Sequence, residues 1–277
     1  MQNTSPRVSF GVIADLQYCD SEPFKNRFYR NSIRKLEETT EQLNSRQLDF
    51  VINLGDMIDK DWESYEKILP YFKHIKAPVY HVLGNHDYEV EEDKKAMIPG
   101  KIRTKKFYHF SLADWRFIVL DGNEISTFAN LPQSENYQLA RNWLDQMESD
   151  EIVNANFWNG GIGKTQLDWL ESVLKDVSLK GQKAVIFCHY PIFPPNKHNL
   201  LNDKELLTLL KNCKGVKMWI NGHNHKGNYG LFEDIHFVNV KGMVEGKYES
   251  AWSVVDLYEN QISISGSGIE VSARLTF

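Results

Sequence analysis

Cysteine is scarce in this chain: Cys19, Cys188 and Cys213 are the only three among 277 residues. So few, so widely scattered, exclude a disulfide framework, and no two have the spacing of a CxxC zinc site. No apolar run approaches the roughly 18 residues of a membrane span. The opening residues, MQNTSPRVSF, hold neither a basic nor an apolar stretch, so no secretory signal is expected. With the unpaired thiols, this predicts a cytoplasmic protein. A surplus of positive charge is also missing. Lys plus Arg number 32 against 37 Asp plus Glu, a formal net charge of −5, which argues against a nucleic-acid or membrane partner. An anionic small molecule is not excluded, because bound cations reverse the sign inside a pocket. Composition says nothing of oligomeric state.

What is present reads as a layered α/β chain. Val8–Ala14, Phe50–Leu54 and Val79–Leu83 are short apolar runs, as expected of strands buried on both faces. Between them Arg27–Ser45 and Trp62–Ile75 carry apolar residues at helical spacing. That alternation predicts a largely parallel sheet. Tyr88–Lys106 is charged and irregular, a surface excursion. Phe107–Leu112 and Trp115–Leu120 predict a hairpin about Ala113–Asp114. A helix near Tyr137–Met147 interrupts the least regular stretch, 122–163. Helices Thr165–Leu174 and Asp203–Lys211 then alternate with strands Lys183–Cys188 and Val216–Asn221, and Ile235–Val240, Ala251–Leu257 and Gln261–Ser265 read as antiparallel strands. Without repeats or a long linker, 1–277 is expected to be one domain with an irregular insertion around 122–163.

Gly160–Thr165 (GGIGKT) imitates the end of a phosphate-binding P-loop, but that motif needs glycine where Trp158 stands. Thr165 and Asp168 instead have the spacing of a helix capping box.

The informative pattern lies at the ends of the predicted strands, where open α/β sheets place ligands. The first ends in Asp15-Leu16-Gln17, the second in Gly55-Asp56, the third in Gly84-Asn85-His86-Asp87; later ones end in His189 and in Gly222-His223-Asn224-His225. Each alone is an ordinary turn residue or hydrogen-bonded histidine. Five such clusters on one edge, three beside glycine, point to a crowded metal site. Carboxylate and amide oxygens mixed with imidazoles suit Mn, Fe, Zn or Mg, and favour two metals over one structural zinc.

The ordered set Asp-x-Gln, Gly-Asp, Gly-Asn-His-Asp, His and Gly-His-x-His resembles the calcineurin-like metallophosphoesterase superfamily, over residues 15 to 225. The resemblance implies a layered α/β fold of two packed mixed β-sheets flanked by helices, with a dimetal site at the strand C-terminal ends. Asp15, Gln17, Asp56 and His225 would hold one divalent ion, and Asp56 would bridge to a second held by Asn85, His189 and His223. His86 would sit beside the scissile phosphate, oriented by Asp59. Two ions roughly 3.5–4 Å apart would lower the pKa of a bridging water, whose hydroxide would attack phosphorus.

The usual Asp-x-His is here Asp-x-Gln. A glutamine carbonyl is a harder, neutral ligand, so the first site should shift from zinc towards manganese. Asp-x-Gln followed by an aromatic is similar to the manganese-dependent ADP-ribose/CDP-alcohol diphosphatase branch, as are FGVIADLQY, RFYRNS, NGGIGKTQLDWL and the run from GHNHKGNYG to VNVKGMVE. The loop after Asp-x-Gln and the segment after Asn-His are shorter here. The implied activity is hydrolysis of the phosphoanhydride bond of nucleoside diphosphate-linked compounds; other phosphodiester or phosphomonoester substrates, or an inactive metal-binding scaffold, are the alternatives. Purple acid phosphatases would need tyrosine where Asp59 stands, and protein Ser/Thr phosphatases Arg-Gly where Lys60-Asp61 follows. Tyr18, Phe24, Phe28, Phe157 and Trp158 are candidates to stack on a base, Arg27 and Arg30 to reach phosphate, and Asn159-Gly160-Gly161 to shape a loop by the metals. No role follows for Cys19.

Overall fold

The two periodicities in the sequence become two six-stranded sheets with helices on their outer faces. In the computed structural model, which describes residues 5–277, the strands are β1 Val8–Ile13, β2 Phe50–Asn53, β3 Val79–His81, β4 Tyr108–Leu112, β5 Trp115–Val119, β6 Lys183–Phe187, β7 Val216–Asn221, β8 Lys226–Phe232, β9 Ile235–Lys241, β10 Ala251–Leu257, β11 Gln261–Gly268 and β12 Ala273–Thr276. The helices are α1 Asn31–Asn44, α2 Trp62–Phe72, α3 Glu92–Lys95, α4 Ile98–Lys101, α5 Glu135–Ser149, α6 Lys164–Leu179 and α7 Asp203–Leu210.

One sheet runs β12-β11-β10-β1-β2-β3 and the other β4-β5-β6-β7-β9-β8. As the alternation of strand and helix predicts, β1, β2 and β3 are parallel. So are β5, β6, β7 and β9, while β10 lies antiparallel to β1. The central strands are apolar throughout because both of their faces are covered. Phe10, Phe50, Phe117 and Phe187 fill the space between the sheets. Phe10 stacks on Phe50 with centroids 4.8 Å apart, and Phe117 of the facing sheet meets Phe50 edge-on at 5.0 Å. The opposite faces pack on α1 and α2 through Ile13, Val51, Leu36 and Tyr65, and on α6 and α7 through Ile118, Ile186, Leu170 and Leu206.

Several sequence expectations are corrected. Helix α1 begins at Asn31, not Arg27, because Phe24 and Arg27 exchange backbone hydrogen bonds and Phe28 donates to Val244. Helix α2 stops at Phe72, three residues before Ile75. The charged excursion 88–106 contains α3 and α4. Thr165 and Asp168 form no capping box. Helix α6 starts a residue earlier, Gly163 donates its N–H to Glu124 at 2.9 Å, and Asp168 pairs with Lys164. Strand β9 is antiparallel only to β8; it is parallel to β7. The unforeseen β8 forms around the two-residue turn Glu233-Asp234, both at positive φ, a geometry that suits the twist of a hairpin. The three cysteines are free and buried. Among the described residues, no helix is long and apolar enough to cross a membrane.

His81 ends β3 as a buried residue, edge-on to Phe72 at 5.1 Å. Burial pulls its pKa down to about 4. An unfolded chain takes up that proton near pH 6.5. Its contribution to stability is therefore complete above about pH 6.5 and is lost as pH falls towards about 4. Urea unfolding at pH 7 and pH 5 should show a loss about 2 kcal/mol larger in the wild type than in His81→Leu. Parallel losses would show His81 to be protonated in the folded chain.

Candidate dimetal site

Five strand ends meet at one edge of the sandwich. Asp15 and Gln17 follow β1, Asp56 follows β2, Asn85 and His86 follow β3, His189 follows β6, and His223 and His225 follow β7. The turns interlock through backbone hydrogen bonds: Asp15 donates to Gly55 at 3.1 Å, Gln17 to Asp56 at 2.8 Å, and Tyr18 to Met57 at 3.1 Å. Asp15, Gln17, Asp56 and His223 all have φ between 43° and 66°. Each costs of order 1 kcal/mol in a residue with a side chain, so the surrounding contacts must hold them there.

Glycines allow that crowding. A Cβ on Gly84 would stand 2.2 Å from Asp56 Oδ1, and one on Gly222 would stand 2.5 Å from Asp15 Oδ2. Gly55, at φ +103°, would bring a Cβ to 2.7 Å from His189 Nδ1. Asp87 sets the geometry. Its carboxylate accepts the N–H groups of Asp56 and Met57 at 3.0 Å and of Gly84 at 2.9 Å, while the Tyr65 hydroxyl donates to it at 3.2 Å.

The candidate ligands fall into two groups that share one carboxylate: Asp56, His189 and His223, and Asp15, Asp56 and His225. Within each, the ligating atoms lie within 4.8 Å of one another. Every residue is buried, Asp15 and His189 completely. The other nitrogen of each histidine is tied elsewhere. His189 Nδ1 donates to the Leu54 carbonyl at 2.8 Å, His223 Nε2 to Asn159 Oδ1 at 3.0 Å, and His225 Nδ1 to Glu245 at 2.8 Å. These tethers orient the rings and leave one nitrogen of each directed at the carboxylates. His189 Nε2 is 3.3 Å from Asp56 and His225 Nε2 is 3.6 Å from Asp15.

Gln17 Oε1, Asn85 Oδ1 and His189 Nε2 are buried with no hydrogen-bond partner among the described residues. Lone pairs so placed cost free energy unless something satisfies them, and divalent cations do so. The donor set, carboxylates, amide oxygens and imidazoles, fits two such ions. The electrostatics agree. Burial opposes charge on His189, but Asp56 and Asp15 outweigh it and lift its pKa to about 9. Burial likewise opposes charge on Asp56, yet His189 and His86 hold it far below the usual carboxylate range. Asp15 is pushed up by burial against the pull of His225 and His189. The pocket thus demands positive charge beside its carboxylates.

His86 lies at the rim. Its backbone N–H donates to Asp56 at 2.8 Å, and its Nδ1 is 2.9 Å from the Asp59 backbone carbonyl, with the Asp59 carboxylate farther off at 3.4 Å. Burial raises the pKa of Asp59 against the pull of His86 and Arg27. Asp59 therefore meets His86 first through its main chain. Cys19 Sγ lies 3.8 Å from the same carboxylate.

The predicted substrate contacts divide. Phe24 and Phe157 are 60% and 69% exposed, and Trp158 packs edge-on against Phe157 at 5.0 Å. Arg27 Nε stands 3.8 Å from Glu245. Tyr18 is buried in the core and presents no free face for a base. Arg30 is held by Asp20 and Glu22 as a surface ion pair. Asn159, fully buried, also donates to the carbonyls of Asn154 and Lys197. The roles of Asp87, Glu245 and Tyr65 have no local signal except that Asp87 directly follows Asn85-His86.

A layered α/β sandwich whose strand ends bring together two metal-binding groups on a shared carboxylate defines a metal-dependent phosphoesterase. Residues 8–227 match the calcineurin-like phosphoesterase family, and the chain belongs to it. Over 299 residues it is 33% identical to a manganese-dependent ADP-ribose/CDP-alcohol diphosphatase of Arabidopsis thaliana, covering 95% of this chain and 94% of that protein. The Homo sapiens protein of that name is 29% identical, with 97% and 92% covered. A dimetal phosphatase from Danio rerio has the same fold, with a TM-score of 0.90 at 24% identity over 99% of this chain and 100% of that one.

Gly84→Ala should drive its new methyl into Asp56 without disturbing either sheet. Bound metal after gel filtration should fall by about tenfold or more while the far-ultraviolet circular dichroism stays that of the wild type. Full metal content would show that the Asp56 turn yields freely.

Proposed function

We propose that the chain is a manganese-dependent hydrolase of the phosphoanhydride bond in nucleoside diphosphate-linked compounds such as ADP-ribose and CDP-alcohols. The observation that carries this reading is the pair of metal-binding groups sharing Asp56, in a chain similar along nearly its whole length to proteins named as diphosphatases of that specificity. The ligands would be Asp15, Gln17, Asp56 and His225 for one ion and Asp56, Asn85, His189 and His223 for the other. Gln17 supplies a neutral oxygen where an imidazole would favour zinc, which agrees with manganese. When bound, the two ions supply an activated water and neutralise the charge of the diphosphate, which is how an acidic chain accepts an anion.

The protein's own groups do the rest. With Nδ1 of His86 on the Asp59 carbonyl, Nε2 is the atom left for substrate. It would donate to the oxygen on which charge develops as the anhydride bond breaks. Arg27 would neutralise the second phosphate. Phe24 and Phe157 present the free aromatic faces on which a base would stack, and Trp158 would brace Phe157. The buried, desolvated floor strengthens each of these charge contacts.

A matrix of Mn2+, Mg2+, Zn2+ or no metal against ADP-ribose, CDP-choline, a simple phosphodiester and a phosphomonoester tests this reading. We expect Mn2+ with either diphosphate to give the highest kcat/KM. Preference for the monoester would refute the diphosphatase reading, and two bound metals without turnover of any ester would favour a scaffold. His86→Ala should lower kcat on the best substrate by about 10²- to 10⁴-fold while keeping its metal; undiminished turnover would remove His86 from the mechanism.

A further inference from the structure

The segment joining β9 to β10 passes directly behind the first metal group. Met243 donates its N–H to the Ala14 carbonyl at 3.0 Å, and Val244 donates to that of Asp15 at 2.9 Å. Gly242 lies so close to His225 that a Cβ there would stand 2.7 Å from the imidazole Cγ. Three residues on, Glu245 accepts the proton of His225 Nδ1 at 2.8 Å. Beneath this segment, α1 sends up Lys35, fully buried. Its ammonium donates to the carbonyls of Met243, Glu245 and Gly246 at 2.7, 2.9 and 2.7 Å.

Burying an ammonium group is costly, and among the described residues no carboxylate lies within ion-pair distance of this one. Burial, the largest influence, lowers its pKa to about 8, so it remains charged at neutral pH. A methionine would fill the same volume without the desolvation cost. What the lysine adds is a three-way clamp on one short stretch of backbone, and that stretch carries, among the described residues, the only carboxylate on His225 Nδ1. The opposite face of the segment is fastened to the loop of Phe24 and Arg27: Phe28 donates to Val244 at 3.0 Å and Gly246 to Asn26 at 2.9 Å.

We propose that Lys35 and Glu245 are positioning residues for the first metal, Lys35 clamping the 243–246 backbone so that Glu245 fixes the ring of His225 with Nε2 turned to the ion. This relay rests on the dimetal reading of the site but on no particular substrate. Lys35 acts through Glu245, so removing either should disturb the same ion.

Mn2+ titration followed by electron paramagnetic resonance, without substrate, tests the relay in the full chain. Wild type should bind two Mn2+. Glu245→Ala and Lys35→Met should each weaken one binding step by about 10- to 100-fold. That step should be the one abolished in His225→Ala and retained in Asn85→Ala. Glu245→Gln, whose amide oxygen still accepts the Nδ1 proton, should recover most of the affinity. The double variant Lys35→Met/Glu245→Ala should bind no more weakly than Glu245→Ala alone. Unaltered titrations, weakening of the Asn85-dependent step, or fully multiplicative effects would each overturn the relay. If Lys35→Met does not fold, wild-type binding in Glu245→Ala overturns it on its own. A chain that binds two Mn2+ but cleaves no diphosphate would refute the proposed activity and leave the relay standing; a wild type binding fewer than two would overturn both.

Discussion

One buried carboxylate organises the centre of the molecule. Asp87 gathers the amide protons of Asp56, Met57 and Gly84, and so ties the turn after β2 to the turn after β3. With its backbone held there, Asp56 can keep a left-handed conformation and turn its side chain to His189 while its own oxygen receives the His86 N–H. Burial, its largest influence, and then Asp56 raise Asp87 to about pKa 6 against the pull of its N–H donors, the expected response of a desolvated carboxylate beside another acid. The shared carboxylate, the rim histidine and the glycine beside them are all placed by this one side chain.

The rest of the centre follows a single electrostatic economy. Two carboxylates and three imidazoles are removed from water together, which is unfavourable for any of them alone. Each imidazole is satisfied on one side by a neutral or anionic acceptor and left open on the other, so the open atoms converge on a space that favours cations. The strain of four left-handed residues is borne by the same network. Such costs are tolerated in functional sites, where stability is exchanged for a fixed geometry.

Much of this was legible in the chain because the informative signals are local. Asp15 with Gln17, Gly55 with Asp56, and His223 with His225 each sit within three residues of one another at the end of an apolar run, and parallel strands deliver such ends to one edge. That β1, β2 and β3 are parallel followed from alternating periodicity. Strand β8 escaped notice because KGNYGLF has two glycines and little apolar alternation, and the hairpin partner decides its conformation. Strand β12 is a four-residue edge, too short to show a period. The Thr165–Asp168 spacing misled because Lys164, already helical, takes Asp168 as its partner. Asn159 was expected beside the metals only as part of a loop, while Glu245 and Lys35 were beyond reach for a different reason: each acts through a contact with residues far away in the chain, on segments with no distinctive local pattern.

The three histidine tethers come from the end of β2, from the stretch before α6 and from the segment after β9. Contacts at the centre therefore span separations such as 208 residues between Asp15 and His223 and 135 between Leu54 and His189. Loops of that length close late, after local structure has formed. During synthesis the centre thus stays incomplete until residue 245 has left the ribosome and both sheets have docked. Full metal uptake then reports that the whole sandwich has assembled, because β1, β2 and β3 alone bring together Asp15, Gln17, Asp56 and Asn85 but none of the three imidazole ligands.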